Sequence, residues 1–305
     1  MLDYCLLGTG GMMPLPKRYL TSLITRYNGS SLLIDCGEGT QIALKASGIS
    51  PKPIDVICIT HFHADHVAGL PGFLLTMGNA ERTEDLLIIG PKGVPDVVKS
   101  LCVVAQELPF KINYIEITED TQTVRYKGYV IEAFKVDHRV TCYGYTIRIE
   151  RAGRFDAVRA RTAGIPLEFW SRLQKGEIIE DGDKVYTPDM VLGPDRKGIK
   201  LTYCTDSRPV DSIVSAAGDA DLFICEGMYG DEELIDKARR KKHMMMSEAA
   251  NLAKKAGVKE LWYTHYSPSV IKPDQYLDAM RGIFPNCKMP RDGWYGTLTF
   301  EEGED

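Results

Sequence analysis

Three histidines and one aspartate fall within six residues, directly after an apolar run. Residues 61–66 read His-Phe-His-Ala-Asp-His, and residues 56–59 before them read Val-Ile-Cys-Ile. A short apolar run bounded by polar residues is typical of a buried strand. A solvated loop has no need of so many ligand-type side chains, so the motif predicts a functional site where this strand ends.

The spacing of the motif suits two neighbouring metal ions better than one. His61 and His63 are two residues apart and project to one side of an extended segment. Asp65 and His66 follow where the chain turns into a loop and a helix, so they face an adjacent position. Imidazole and carboxylate ligands favour zinc or a similar ion, and paired ions recur in hydrolytic sites.

Similar apolar runs recur along the chain, and segments of helical composition lie between them. The predicted strands cover residues 2–7, 32–36, 56–60, 86–89, 143–149, 201–205, 222–225 and 261–264. The predicted helices cover residues 38–47, 66–77, 94–105, 231–241, 247–256 and 273–283, with Gly48 and Gly257 as C-terminal stops. This alternation predicts a layered α/β architecture.

Residues 151–200 break the alternation. They have no clear period, and glycine, proline and charged residues are spread through them. Long irregular insertions in compact domains are usually functional or mobile. We therefore expect residues 1–305 to form a single domain with an irregular inserted arm at about 151–198.

Further candidate ligands also follow apolar runs. His138 comes after residues 130–136, Asp206 after the predicted strand 201–205, and His265 after the strand 261–264. Strand ends are where a layered α/β protein collects its ligands. As a carboxylate, Asp206 is also able to bridge two cations.

The composition is that of an ordinary globular protein, with 44% hydrophobic residues among 305. No apolar stretch approaches the roughly 18 to 20 residues of a membrane span, and residues 1–7 lack the features of a signal peptide. We therefore expect a cytoplasmic protein. The net charge of −5 argues against coating nucleic acid through overall charge, although local patches are able to bind phosphates. Eight scattered cysteines without a Cys-x-x-Cys pair are typical of reduced core residues.

The His-x-His-x-Asp-His motif with a later His, Asp and His resembles the metallo-β-lactamase fold, an αββα sandwich. Within that superfamily the chain is similar to the ribonuclease Z family of tRNA 3′-processing endonucleases. The similarity extends over nearly the whole chain and includes Leu-Gly-Thr-Gly at 7–10, Asp-Cys-Gly-Glu-Gly-Thr-Gln at 35–41, Gly-Leu-Pro-Gly at 69–72, Thr-Asp-Ser-Arg at 205–208 and Thr-His-Tyr-Ser at 264–267. The His-x-His-x-Asp-His motif alone identifies only the superfamily. The glycine-rich segments narrow the resemblance to the ribonuclease Z family.

The resemblance implies two Zn²⁺ ions per chain, in a site that Mn²⁺ or Fe²⁺ would also accept. One ion is expected to bind His61, His63 and His138. The other is expected to bind Asp65, His66 and His265. Asp206 is expected to bridge the two ions together with a water or hydroxide, which would attack a phosphodiester.

The resemblance also implies three catalytic residues, Asp65, His243 and Glu226. His243 is expected to donate a proton to the leaving oxygen, and Glu226 to orient it. Taken alone, the position of His243 next to the basic run 239–242 favours a surface histidine, and a glutamate after a strand, as Glu226 is, could simply cap or pair with a neighbouring residue.

Substrate contacts are implied with some departures from the family pattern. Lys17 and Arg18 are candidates for phosphate contacts, and the arm is expected to grip the tRNA elbow, with the partner of a homodimer able to supply it. After the first proline of the arm the family has a Gly-Pro step, whereas this chain has Leu-Glu-Phe-Trp at 167–170. The two aromatic residues could stack on bases or pack on a partner subunit. After His243 the chain has three methionines, and we expect Ser247 to cap the next helix.

Two hydrolase hypotheses remain. The first is an endoribonuclease that removes 3′ extensions from precursor tRNA through a water activated by two metals. The alternative is a hydrolase of a small phosphodiester such as a cyclic nucleotide, which the altered arm and the acidic net charge favour. A non-catalytic binding module would lack ligands, and none is missing here. The breadth of the resemblance favours the endoribonuclease.

Overall fold

The computed structural model describes residues 1–105 and 107–301. The strands in this part of the chain are β1 (Leu2–Gly8), β2 (Ser22–Tyr27), β3 (Ser30–Ile34), β4 (Ile54–Cys58), β5 (Leu86–Pro91), β6 (Ile112–Ile117), β7 (Thr121–Tyr126), β8 (Tyr129–Lys135), β9 (Tyr143–Arg151), β10 (Ile179–Asp181), β11 (Lys184–Tyr186), β12 (Arg196–Cys204), β13 (Leu222–Glu226), β14 (Leu261–Thr264), β15 (Cys287–Lys288) and β16 (Trp294–Leu298).

The α-helices are α1 (Thr40–Ala46), α2 (Ala64–Val67), α3 (Leu70–Asn79), α4 (Val94–Leu101), α5 (Ala157–Thr162), α6 (Leu167–Gln174), α7 (Asp211–Ala217), α8 (Ile235–Lys241), α9 (Met246–Ala256) and α10 (Leu277–Ile283). Short 3-10 turns cover Cys102–Val104, Pro188–Met190, Glu232–Leu234 and Pro273–Tyr276. Within the described ranges, each helix is too short or too polar to cross a membrane.

Two seven-stranded sheets form the larger part of the molecule. The first has the strand order β16-β1-β2-β3-β4-β5-β6 and the second has the order β15-β14-β13-β12-β9-β8-β7. Each sheet combines antiparallel strands with a parallel section, β3 to β6 in the first and β12 to β15 in the second. Parallel strands that are covered on both faces consist of nearly continuous apolar residues, which is why they were recognisable in the sequence.

Helices cover the outer face of each sheet. Apolar residues of α1, α3 and α4 pack with those of the first sheet in one core, and residues of α7, α9 and α10 pack with those of the second sheet in another. The two sheets also contact each other. For example, the hydroxyl of Tyr145 in the second sheet donates to the carbonyl of Ile59, which follows β4 of the first sheet, at 2.7 Å. Four layers in this order are an αββα sandwich, which confirms the predicted fold class.

The helix predicted over 66–77 is wrong in one respect, because two helices, α2 and α3, replace it. The backbone N–H of Gly69, between them, donates to the Cys36 carbonyl at 3.0 Å instead of continuing α2. Pro71 follows in the first turn of α3, where its missing N–H is tolerated and where a continuous helix would need that donor.

Residues Ile149–Ile199, together with Phe300 and Glu301, form a second compact unit. This segment contains α5, α6 and the hairpin β10–β11, so its predicted irregularity is wrong. Its helices were missed because few of their residues are buried: only Ala160 in α5 and Leu173 in α6 are, so the sequence shows no apolar period. The unit has its own buried core of Ala160, Ile165, Leu173, Ile179, Tyr186 and Val191.

The two aromatic residues of the arm pack within this core. The Trp170 ring lies 5.1 Å from the Phe155 ring, and its Nε1 donates to the Ile165 carbonyl at 3.0 Å. The Phe169 ring lies 5.6 Å from that of Tyr186. Both rings are half-buried, so they stabilise the arm itself.

Candidate active site

The predicted ligands lie at the ends of strands from both sheets. The His-x-His-x-Asp-His segment follows β4 of the first sheet. In the second sheet, His138 follows β8, Asp206 follows β12 and His265 follows β14. His265 and Asp206 both have left-handed backbone, with φ of 55° and 54°.

The structure brings all seven predicted ligands together in two groups. The ligand atoms within each group lie within 4.8 Å of one another. The first group consists of His61, His63, His138 and Asp206. The second group consists of Asp65, His66 and His265.

The carboxylate of Asp206 lies between the two groups. Its Oδ1 is 3.9 Å from Nε2 of His61 and 3.8 Å from Nε2 of His138. Its Oδ2 is 3.2 Å from Nε2 of His66 and 3.2 Å from Nε2 of His265. One oxygen therefore faces each group, as a bridging ligand requires.

The donor set fits divalent metal ions. Nε2 of His66, Nε2 of His265 and Oδ2 of Asp206 are buried without a hydrogen-bond partner. Buried polar atoms are nearly always paired, so unpaired imidazole and carboxylate atoms that converge on one point indicate cation binding. Nitrogen and oxygen ligands of this kind suit zinc and similar ions.

The protonation states of His61 and Asp206 suit metal binding. His66 would have to release a proton, because burial lowers its pKa but the carboxylates of Asp206 and Asp35 raise it well above its usual range. Burial and the charge of His66 hold the pKa of His61 well below its usual range, which keeps its imidazole neutral. Burial raises the pKa of Asp206, but the charges of His265 and His66 lower it by more than burial raises it. The net pKa is well below the usual range, so the carboxylate stays ionised. A metal needs deprotonated ligands.

Asp35 supports both groups and was missed as a functional residue in the sequence. It is fully buried at the end of β3, and its Oδ2 lies 2.7 Å from Nδ1 of His66. Its Oδ1 accepts from the Thr60 backbone N–H at 2.8 Å, and the Thr60 hydroxyl lies 3.1 Å from Nδ1 of His61. Such contacts orient a ligating histidine and set its tautomer. A carboxylate directly after an apolar run was the available signal.

The backbone of Gly11 packs closely against the ring of His265. A Cβ at Gly11 would lie 2.7 Å from Cε1 of His265. The next residue, Met12, donates its backbone N–H to Oδ2 of Asp65 at 2.8 Å. The loop after β1 thus fixes two residues of the second group, and only glycine fits at position 11 without a clash.

His243 and Glu226 lie together beside the two groups. Nδ1 of His243 is 3.0 Å from Oε2 of Glu226, and its ring stacks on that of His265 at 5.5 Å. His243 is only 9% exposed, so it is not a surface histidine. Burial lowers the pKa of His243, but the charge and hydrogen bond of Glu226 raise it to about 9.

The predicted substrate residues lie on the loop after β1. The Arg18 guanidinium donates to the carbonyls of Val270 and Ile271 at 2.6 and 2.9 Å, and it lies over the Tyr266 ring. These contacts tie two loops together. Lys17 is exposed and has left-handed backbone, with φ of 68°.

The helix after His243 is not capped by Ser247 as predicted. All three methionines, 244–246, are fully buried, and α9 begins at Met246. Ser247 lies inside the helix, so its predicted capping role is wrong. Oε2 of Glu248 instead accepts from the Met245 backbone N–H at 3.0 Å.

Comparisons with known proteins agree with this architecture. A family model described as Anti-Pycsar protein Apyc1 matches residues 2–155. Human tRNase Z, short form, is a structural neighbour with a TM-score of 0.71 and 24% identity, covering 98% of this chain and 100% of its own. The metallo-beta-lactamase fold protein YhfI from Bacillus subtilis has a TM-score of 0.69 and 19% identity, covering 97% of this chain and 98% of its own. These two neighbours support the fold.

Full-length relatives are more similar. Ribonuclease Z of Lachnoclostridium phytofermentans is 59% identical over 304 residues, which is 100% of both chains. Ribonuclease Z of Agathobacter rectalis is 60% identical over 302 residues, which is 99% of this chain and 100% of the relative. Identity at this level over the whole length shows that the chain belongs to the ribonuclease Z family.

Proposed function

We propose that this protein is an endoribonuclease that removes 3′ extensions from precursor tRNA, with two divalent metal ions, zinc in the first instance, at its active site. The observation that carries the proposal is the position of Asp206 between two groups of converging ligand atoms. Full-length relatives at 59% and 60% identity are named Ribonuclease Z, which supports RNA as the substrate.

The two groups would hold one ion each. His61, His63 and His138 would bind the first ion, and Asp65, His66 and His265 the second, with Asp206 shared. When bound, such a pair of cations supplies a strong nucleophile from water near neutral pH and offsets the charge that develops on the phosphate.

His243 would act as the general acid. A water oxygen bonds to phosphorus and its proton passes to Asp65, the bond from phosphorus to the 3′-oxygen breaks, and His243 gives its proton to that oxygen. The tRNA body then ends in a 3′-hydroxyl, and the phosphate stays on the released extension. Glu226 would orient the imidazole through the 3.0 Å contact at Nδ1, which leaves Nε2 to carry the transferred proton.

The small-phosphodiester alternative has less support. The family model with a different description covers only residues 2–155, whereas the Ribonuclease Z relatives match the whole chain, including the arm. Between residues 148 and 161, five arginines stand against Glu150 and Asp156, so this segment is locally cationic and suited to attract a phosphate backbone. We infer contact between this arm and the tRNA, and contact of Lys17 and Arg18 with the RNA end.

We also infer that the protein is a cytoplasmic homodimer, in line with its family resemblance. Light scattering coupled to gel filtration measures the mass directly. A mass close to twice 34.0 kDa supports the dimer, and a mass of one chain contradicts it.

A paired assay tests the proposed function. Purified protein of measured metal content is given a 3′-extended precursor tRNA and, separately, bis(p-nitrophenyl) phosphate. We expect cleavage at the end of the acceptor stem with a 3′-hydroxyl product, and we expect His63→Ala to abolish it. Turnover of the small diester alone would instead support the alternative.

A further inference from the structure

The tripeptide Asp206-Ser207-Arg208 contacts three parts of the active site. Asp206 lies between the ligand groups, and the Ser207 backbone N–H donates to Oε1 of Glu226 at 2.6 Å. The guanidinium of Arg208 donates from Nη1 to the backbone carbonyl of His243 at 2.6 Å. We propose that Arg208 is a positioning residue for His243, held in place by Glu248. The inference rests on the proposed function, because it concerns the proton donor of that reaction.

Glu248 fixes the guanidinium from the other side. Nη1 of Arg208 donates to Oε2 of Glu248 at 2.8 Å, and Nη2 donates to Oε1. Two parallel hydrogen bonds between a guanidinium and a carboxylate define the geometry of both groups. The side chains are only 14% and 22% exposed, so solvent screens this ion pair less than it would a surface pair.

The same ion pair holds both ends of a short connector. His243 and Met245 lie between α8 and α9, directly after Lys242, which has left-handed backbone with φ of 61°. Arg208 binds the carbonyl of His243, and Glu248 accepts the N–H of Met245 at 3.0 Å. The imidazole contacts Glu226 only if this stretch of backbone keeps its place.

The connector is also tied to the segment that carries a ligand. The Lys242 ammonium contacts the Asp137 carboxylate at 2.7 Å, and the Lys242 carbonyl lies 3.0 Å from Nδ1 of His138. The Arg208 backbone N–H donates to the Asp137 carbonyl at 3.0 Å. The Lys242–Asp137 pair is 40% and 38% exposed, so it holds the connector less firmly than the Arg208–Glu248 pair does.

The consequence differs between leaving groups. Cleavage of RNA at this bond expels a 3′-alkoxide, which needs a proton from His243 as the bond breaks. The p-nitrophenolate of bis(p-nitrophenyl) phosphate is a good leaving group and has little need of that proton. A displaced His243 therefore slows RNA cleavage selectively, whereas damage to the metal ligands slows both reactions.

The test uses Arg208→Lys, Arg208→Gln and Glu248→Gln in the full-length, metal-loaded protein. We measure kcat and KM on precursor tRNA and on bis(p-nitrophenyl) phosphate, with metal content and circular dichroism on each sample. Misplacement by about 1 Å costs roughly 10²-fold, so we expect kcat on tRNA to fall by about 10- to 100-fold at similar KM. On the diester we expect a loss of about 3-fold or less, with Lys at position 208 retaining more tRNA cleavage than Gln.

The matched control removes a different ion pair from the same helix. Lys255 of α9 contacts Asp211 at 2.8 Å, on exposed side chains far along the helix from His243. Asp211→Asn should leave both activities as they are. If this variant lost as much tRNA cleavage as Arg208→Gln does, the proposal would be contradicted. Removal of any ion pair on α9 would then slow RNA cleavage, whether or not the pair contacts the His243 backbone.

Other outcomes are decisive as well. Equal losses on tRNA and diester, or no loss on tRNA, would overturn the positioning role. If the Arg208 variants do not fold, the loss of tRNA cleavage relative to the loss of diester hydrolysis is measured in Glu248→Gln instead. This variant tests the same proposal, since the amide keeps an oxygen for the Met245 N–H. A wild-type protein that hydrolyses only the diester contradicts the proposed function instead, and an alkyl and an aryl phosphodiester then replace the two substrates in this test.

Discussion

At the scale of single residues, one carboxylate supports both halves of the site. Asp35 contacts His66 directly and reaches His61 through Thr60. Loss of such a supporting group usually lowers metal affinity by about 10- to 100-fold. We therefore expect Asp35→Asn to bind both ions more weakly, as measured by chelator competition and elemental analysis.

A matched substitution distinguishes orientation from general damage. Asp55 is also a buried carboxylate, and it accepts from Ser30 at 2.7 Å and from Arg82 at 3.1 Å, away from the ligand groups. Asp55→Asn should lower the stability and leave metal affinity unchanged. If Asp35→Asn holds its metals as tightly as the wild type does, Asp35 has no orienting role.

A second prediction at this scale concerns Gly11. A methyl group there would meet the His265 ring at 2.7 Å, so Gly11→Ala should displace the ring and empty the second group first. Elemental analysis should show close to half of the metal lost. Gly282→Ala in α10 is the control, because no atom lies within 4 Å of its added Cβ. Full metal content in Gly11→Ala would show that the loop moves away instead.

At the scale of elements, the arm has a core that depends on few large side chains. Trp170 of α6 packs on Phe155 and hydrogen-bonds the Ile165 carbonyl. Since the ring is half-buried, Trp170→Ala should cost the arm roughly 2 kcal/mol. Hydrogen exchange should become faster within residues 149–199 and stay unchanged around the metal ligands.

The control lies on the same helix. Leu167 is 75% exposed, so Leu167→Ala should leave exchange in the arm as it is in the wild type. Faster exchange across the whole chain in Trp170→Ala would contradict the view that the arm has a core of its own.

How far elements could be predicted from the sequence depended on how they are buried. Parallel strands such as β4 and β13 are covered on both faces and formed clear apolar runs. β7 alternates exposed and half-buried residues, and its sequence Thr-Gln-Thr-Val-Arg-Tyr lacks an apolar period. The seven predicted ligands followed recognisable strands. Asp35 also follows an apolar run, but its contact with His66 depends on the pairing of β3 with β4, which the sequence around Asp35 does not reveal.

At the scale of the whole molecule, the metals would join the two sheets. His61, His63, Asp65 and His66 come from the first sheet, and the other ligands come from the second. A ligand at 100 times its Kd stabilises the folded state by about 2.7 kcal/mol. Two such ions add about 5 kcal/mol, so chelation of both should lower the Tm of this 305-residue chain by about 8 °C, as calorimetry or circular dichroism would show.

The variant His63→Ala provides the comparison for this measurement. It lacks a ligand of the first group, so chelation should lower its Tm by a smaller amount than in the wild type. A wild-type protein of confirmed metal content whose Tm does not respond to chelation would show that the ions contribute nothing to the association of the sheets.

The arm is inserted in the sequence between β9 and β12, which are neighbours in the second sheet. A segment inserted between adjacent strands, with a core of its own, is able to change in sequence or length while the sheet keeps its pairing. Mutations in the arm and mutations at the metal ligands are then subject to separate selection. Lineages of such a protein are able to change the arm while they inherit the same chemistry.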